Sequence, residues 1–121
     1  MYMRTIWFFI TRTGILQSKK TATTLKDAWK KSIKKWTILS NPPKELRYIN
    51  HIHTCGLCNL YLDQDCIECP IRKKTGNKYC HGPLDDYFEI RNLIPTSLHS
   101  EPAKDAAKAV LKYLQQLKNE Q

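Results

Sequence analysis

CGLCNLYLDQDCIECPIRKKTGNKYC, residues 55–80, carries every cysteine of the 121-residue chain, in the order Cys55-x2-Cys58-x7-Cys66-x2-Cys69-x10-Cys80. A Cys-x2-Cys turn sets two thiolates about one tetrahedral edge apart. Two further sulfurs from a nearby turn complete a closed four-coordinate shell, so the spacing points to structural Zn2+. An odd number of cysteines argues against a plain disulfide framework. The dense Cys-x2-Cys-x2-Cys run of bacterial iron–sulfur proteins is absent, which ranks a cluster below zinc. An all-sulfur zinc shell is closed, and the nearby Glu and His residues form no arrangement to work a bound water, so the metal reads as structural rather than catalytic.

The two pairs are unlike. Around Cys55 and Cys58 the residues suit a zinc knuckle, with Gly56 relaxing the turn and Asn59 taking the left-handed conformation after it. After Cys69 comes Pro70, which has no N–H to offer a sulfur but fits the first position of a helix. Cys69 is then the cap of a short helix that Gly76 stops. The preferred ligand set is Cys55, Cys58, Cys69 and Cys80, with Cys66 as the spare. The set Cys55, Cys58, Cys66 and Cys69 is the alternative, and His51, His53 and His81 rank below both.

Working outward, residues 21–41 form an amphipathic helix. Thr23 or Thr24 caps it, Asp27 sits near its positive end, and Asn41-Pro42-Pro43 ends it. Leu25, Ala28, Trp29, Ser32, Ile33, Trp36 and Leu39 share one side, and Lys26, Lys30, Lys31, Lys34 and Lys35 take the other. A C-terminal helix spans 100–119, with Pro102 in its first turn and Ala103, Ala107, Val110, Leu114 and Leu117 on one face. Residues 84–98 look irregular. Ile6–Ile10 is an aromatic and β-branched run too short to span a bilayer. It reads as a short N-terminal strand within an extension covering residues 1–20, with Thr13-Gly14 as its turn. The expected fold is a single, mainly α domain in which the helices pack on an irregular zinc module covering 51–83. A chain of this length buries a modest core, for which a metal staple is a physically reasonable aid.

Twenty Lys and Arg against eleven Asp and Glu give a formal charge of +9, and four thiolates on one zinc would bring it to about +7. Such a chain is drawn to a polyanion. Two basic faces are candidates for the contact: Lys26, Lys30, Lys31, Lys34 and Lys35 on the helix, and Arg72, Lys73, Lys74 and Lys78 beside the cysteines. An acidic protein surface is the favoured partner and nucleic acid the alternative. Arginine is scarce on the helix face, and Trp29 and Trp36 read as core rather than as base-stacking platforms, so base readout is not expected. No nucleophile, phosphate-loop or acid–base constellation is present, and the acidic residues near turns read as turn formers. The chain is therefore expected to be a non-enzymatic binding protein. Clustered thiols without a secretory signal place it in the reducing cytoplasm.

The run Cys55-Gly-Leu-Cys-Asn-Leu-Tyr61, followed by Cys66-Ile-Glu-Cys-Pro-Ile71, Lys74-Thr-Gly76 and Cys80, resembles a group of small cysteine-rich proteins of bacteriophages and prophages. The layout is similar too: an amphipathic helix ending at Ser32-Ile-Lys-Lys-Trp36 precedes the module, and an Ala/Leu-rich helix follows. The resemblance covers about residues 24 to 118. The chain departs from it at His81-Gly-Pro-Leu-Asp-Asp-Tyr87, where the group has a Gly-Thr-Pro-Tyr-like step, and its first 20 residues have no counterpart. The resemblance implies a zinc-stapled fold in a phage setting, with a bacterial host protein or complex as the partner, and it carries no catalytic residues. Modulation of that partner, as by an inhibitor of host defence, is the function expected by analogy with other small phage proteins.

Overall fold

A computed structural model of the chain describes residues 5–49, 51–61, 68–76, 84–93 and 98–120. The elements run β1 (Phe8–Ile10), β2 (Ile15–Ser18), α1 (Leu25–Ser40), β3 (Tyr48–Ile49), α2 (His51–Thr54), α3 (Gly56–Tyr61), α4 (Pro70–Thr75), α5 (Asp85–Leu93) and α6 (Glu101–Asn119). The protein is mainly helical, as expected, and carries a small sheet that the sequence announced only at its first strand.

β1 and β2 form an antiparallel hairpin in the register Phe8↔Ser18 and Ile10↔Leu16. Its turn is held by the Gly14 N–H donating to Thr11 O at 3.0 Å and the Ile15 N–H donating to Thr11 Oγ1 at 3.0 Å. β3 joins β2 in parallel, Leu16 opposite Ile49. A parallel pair needs a crossover, and α1 supplies it, so the first half of the chain is a β-α-β unit. Gly14 is the junction. Its φ is +84°, its carbonyl accepts from the N–H groups of Arg47 and Tyr48, and a Cβ there would stand 2.6 Å from Glu45 O. Only glycine meets both demands.

α1 begins where its capping chemistry says it should. Thr24 Oγ1 accepts from the Asp27 N–H at 3.2 Å, satisfying one of the donors left open by the first turn. α6 starts the same way, with Ser100 Oγ accepting from the Ala103 N–H and Pro102 in the first turn. Ala103, Ala107, Val110, Leu114 and Leu117 are all buried. The small alanines at its start let backbones approach, and α1 packs most extensively on α6, then on α3.

The buried face of α1 differs from the expected one. Leu25 is 39% exposed and Ile33 only half-buried, whereas Lys31 and Lys35 are at 0% and 2%. Two of the five lysines assigned to the solvated face point inward.

Residues 85–93, expected to be irregular, are helix. Asp85 and Asp86 lie in its first turn, where acidic side chains oppose the positive end of the helix dipole; the same residues read in isolation suggest a turn. α5 brings Tyr87, fully buried, edge-on to Trp36 at 4.9 Å between ring centroids. His51 and Phe88 complete this aromatic cluster, so Trp36 joins α1, α2 and α5. Trp29 and Trp36 are both core residues. Among the described residues, no helix is long and apolar enough to cross a membrane.

Candidate metal centre and basic surface

Cys55 is buried and precedes α3, whose first turn contains Cys58. Cys58 N–H donates to Cys55 Sγ at 3.3 Å, and Asn59 N–H donates to Cys55 O at 3.2 Å. The N–H···S contact expected of a knuckle is therefore made, but by a helical turn. Asn59 is helical, not left-handed. Gly56 is needed for a different reason: a Cβ there would stand 2.3 Å from Ala28 O and 2.9 Å from Lys31 Cβ. It lets the backbone of α3 press against that of α1, where Ser32 Oγ accepts from the Leu57 N–H at 3.2 Å.

Cys69 and Gly76 bound α4 as the sequence predicts. Pro70 is its first residue, Cys69 is its cap, and Gly76 closes it at φ +75° with its N–H on Arg72 O at 2.7 Å. Cys69 is 1% exposed. Burial pushes its thiol above the ordinary range, and the amides of Ile71 and Arg72 offset this only in part, without closing a cap hydrogen bond. The negative charge of Cys55 adds to the upward push.

Cys55, Cys58 and Cys69 are not joined to one another by a disulfide. Among the described residues, no three His, Cys, Asp or Glu side chains gather closely enough to hold a metal ion. Cys66 and Cys80 lie outside the described residues, as do Lys78 and His81, so the expected ligand sets are represented only by Cys55, Cys58 and Cys69. The structure does not gather these three into one metal-sized group, but their chemistry suits zinc: soft donors, two of them buried, each of those two at the positive end of a short helix. His51, ranked behind the cysteines, packs its ring in the aromatic cluster beside Trp36.

The two inward lysines belong to this region. Lys31 Nζ donates to Ser18 Oγ at 2.6 Å and to Asn59 Oδ1 at 2.8 Å, and lies 5.7 Å from the centroid of the Phe8 ring. Asn59 Oδ1 also accepts from the Ala22 N–H at 3.1 Å. One ammonium thus ties the end of β2 to α3. Burial lowers the Lys31 pKa to about 8; Cys55 opposes that shift and Lys35 adds to it. Lys35 Nζ donates to His51 O at 3.0 Å. Lys31 and Lys35 are therefore removed from the expected partner surface, because their stems run through the core and their heads meet acceptors donated by distant segments. No local signal marks them, since the acceptors come from other parts of the chain.

Lys26, Lys30 and Lys34 remain exposed, one helical turn apart. Among the described residues none of the three enters an ion pair. The second basic face differs: Lys73 pairs with Glu68 at 2.7 Å and Lys74 with Glu120 at 3.1 Å. The chain matches no protein-family model, no curated protein and no solved structure.

Proposed function

We propose that this chain is a zinc-stapled binding protein of phage type, with no catalytic role, that docks on an acidic surface of a host protein or complex and modulates it. One observation carries the reading. Lys26, Lys30 and Lys34 form an exposed row, spaced by about 6 Å along the axis of α1, while Lys31 and Lys35 of the same helix are buried in hydrogen bonds. The inward pair fixes the helix and the outward row keeps its charge available. Trp29 and Trp36 are buried, so the row has no aromatic platform from these residues for bases, which favours an acidic protein over a nucleic-acid strand. Zinc held by Cys55, Cys58, Cys69 and Cys80 would staple the segment on which the row rests.

The test compares the wild type with the triple variant Lys26→Glu, Lys30→Glu, Lys34→Glu in recovering partners from host cells, followed by titration of the purified partner across salt. The expected result is an acidic protein whose affinity falls steeply with salt and drops roughly a hundredfold or more in the triple variant. Recovery of nucleic acid whose binding is lost in the triple variant, or a partner bound equally by the triple variant, would overturn the reading.

A further inference from the structure

A cleft of about 310 Å³ opens between the end of β2 and α3, lined by Gln17, Ser18, Lys19, Lys20, Thr21 and Asn59. None of the six is acidic, and two carry ammonium groups that are exposed. Ser18 Oγ and Asn59 Oδ1 are also two of the atoms that hold the buried ammonium of Lys31. A third positive charge therefore lies directly behind the lining, fixed in place.

The polar groups left over in the cleft include several donors. Asn59 Oδ1 is occupied by Lys31 and by the Ala22 N–H, which leaves the NH2 end of that amide over. Thr21 keeps its hydroxyl, and Ser18 spends its own hydrogen on Lys20 O at 3.1 Å. The loop is held still by the Lys19 N–H donating to Trp7 O at 2.6 Å, and Lys20 Nζ stands 5.2 Å from the Trp7 ring centroid. Cations at the rim, a cation beneath and fixed N–H and O–H donors between them make up the recognition chemistry of a tetrahedral oxyanion.

We propose that this cleft binds a phosphate group, either free, on a mononucleotide or on a nucleic-acid strand. Lys19 and Lys20 supply the attraction at the mouth. Asn59 and Thr21 supply direction, and Lys31 supplies a positive field without leaving its hydrogen bonds. The site contains none of the lysines of the α1 row, so it stands or falls independently of the docking reading.

The test is an NMR titration of the full-length, metal-replete protein, following the Asn59 side-chain amide and the Ala22 N–H. The probes are inorganic phosphate, adenosine monophosphate and a short oligothymidylate, each at constant ionic strength. Saturable shifts with phosphate or the mononucleotide identify a free phosphate group as ligand; shifts with the oligonucleotide alone identify a strand. In Lys19→Glu/Lys20→Glu the dissociation constant should rise roughly tenfold or more, while Lys112→Glu, on the exposed face of α6, should bind as the wild type does. Asn59→Asp, followed at the Ala22 N–H because its side-chain amide is gone, keeps the acceptor for Lys31 and Ala22 but replaces the donor with a negative charge, so it should abolish binding in a folded protein. Unmoved signals with all three probes would overturn the proposal, as would shifts of wild-type size in Lys19→Glu/Lys20→Glu or Asn59→Asp.

Discussion

Gly56→Ala should destabilise the protein by roughly 3 kcal/mol, at the upper end of what an added methyl costs in a packed interior. Two effects compete. Alanine is the better helix former, by about 1 kcal/mol, and Gly56 is the first residue of α3. Against this, the new Cβ would stand 2.3 Å from Ala28 O and 3.0 Å from Ala28 C. These are backbone atoms in the first turn of α1, so no side chain can rotate away, and either α3 moves or the start of α1 bends. Moving α3 also stretches the hydrogen bond from the Leu57 N–H to Ser32 Oγ and shifts Asn59 off Lys31. The steric effect therefore wins. Urea unfolding should show a large fall in the midpoint, and an unchanged or raised midpoint would mean that α3 does not approach α1 so closely.

Trp36→Ala should cost about 3–5 kcal/mol, the usual range for emptying a buried aromatic site. Trp36 is 2% exposed and meets three rings: Tyr87 edge-on at 4.9 Å, His51 stacked at 6.3 Å and Phe88 tilted at 6.5 Å between centroids. Its loss leaves a cavity where α1, α2 and α5 meet. The aromatic contacts add to the loss, since edge-on pairs contribute about 0.5–1.5 kcal/mol beyond area burial. Trp36→Phe keeps an edge for Tyr87 and should recover a good part of the stability. Denaturant titration of the two variants separates these effects, and equal losses would show that the rings do not act as a cluster.

What could be read from the residues follows how local the physics is. Thr24, Ser100 with Pro102, and Pro70 with Gly76 mark helix ends through contacts within four residues, and all lie where the structure places them. The buried stripe of α6 was legible because its period holds for about four turns. β3 was not, because two residues carry no pattern of their own; the strand exists because Gly14 offers its carbonyl to Arg47 and Tyr48. α5 was missed because paired aspartates suit a turn and a helix start equally well.

The site divides along the same line. Cys69 as a helix cap follows from the proline after it. Gly56 looked like a turn residue, but the close approach to Ala28 that requires it depends on a helix two dozen residues away. Lys31 and Lys35 were misplaced because a lysine at a helical position is ordinarily solvated. Only the fold brings Ser18, Asn59 and the His51 carbonyl within reach of their ammonium groups. Cys66 and Cys80 fall outside the described residues, so the choice among five sulfurs rests on chemistry alone.

Metal analysis of protein purified under reducing conditions is the direct measurement of the staple. The expected result is about one zinc per chain, retained in Cys66→Ser and lost in Cys80→Ser, with chelation collapsing the cooperative unfolding transition. A stably folded protein with no bound zinc, or one carrying an iron chromophore, would contradict it.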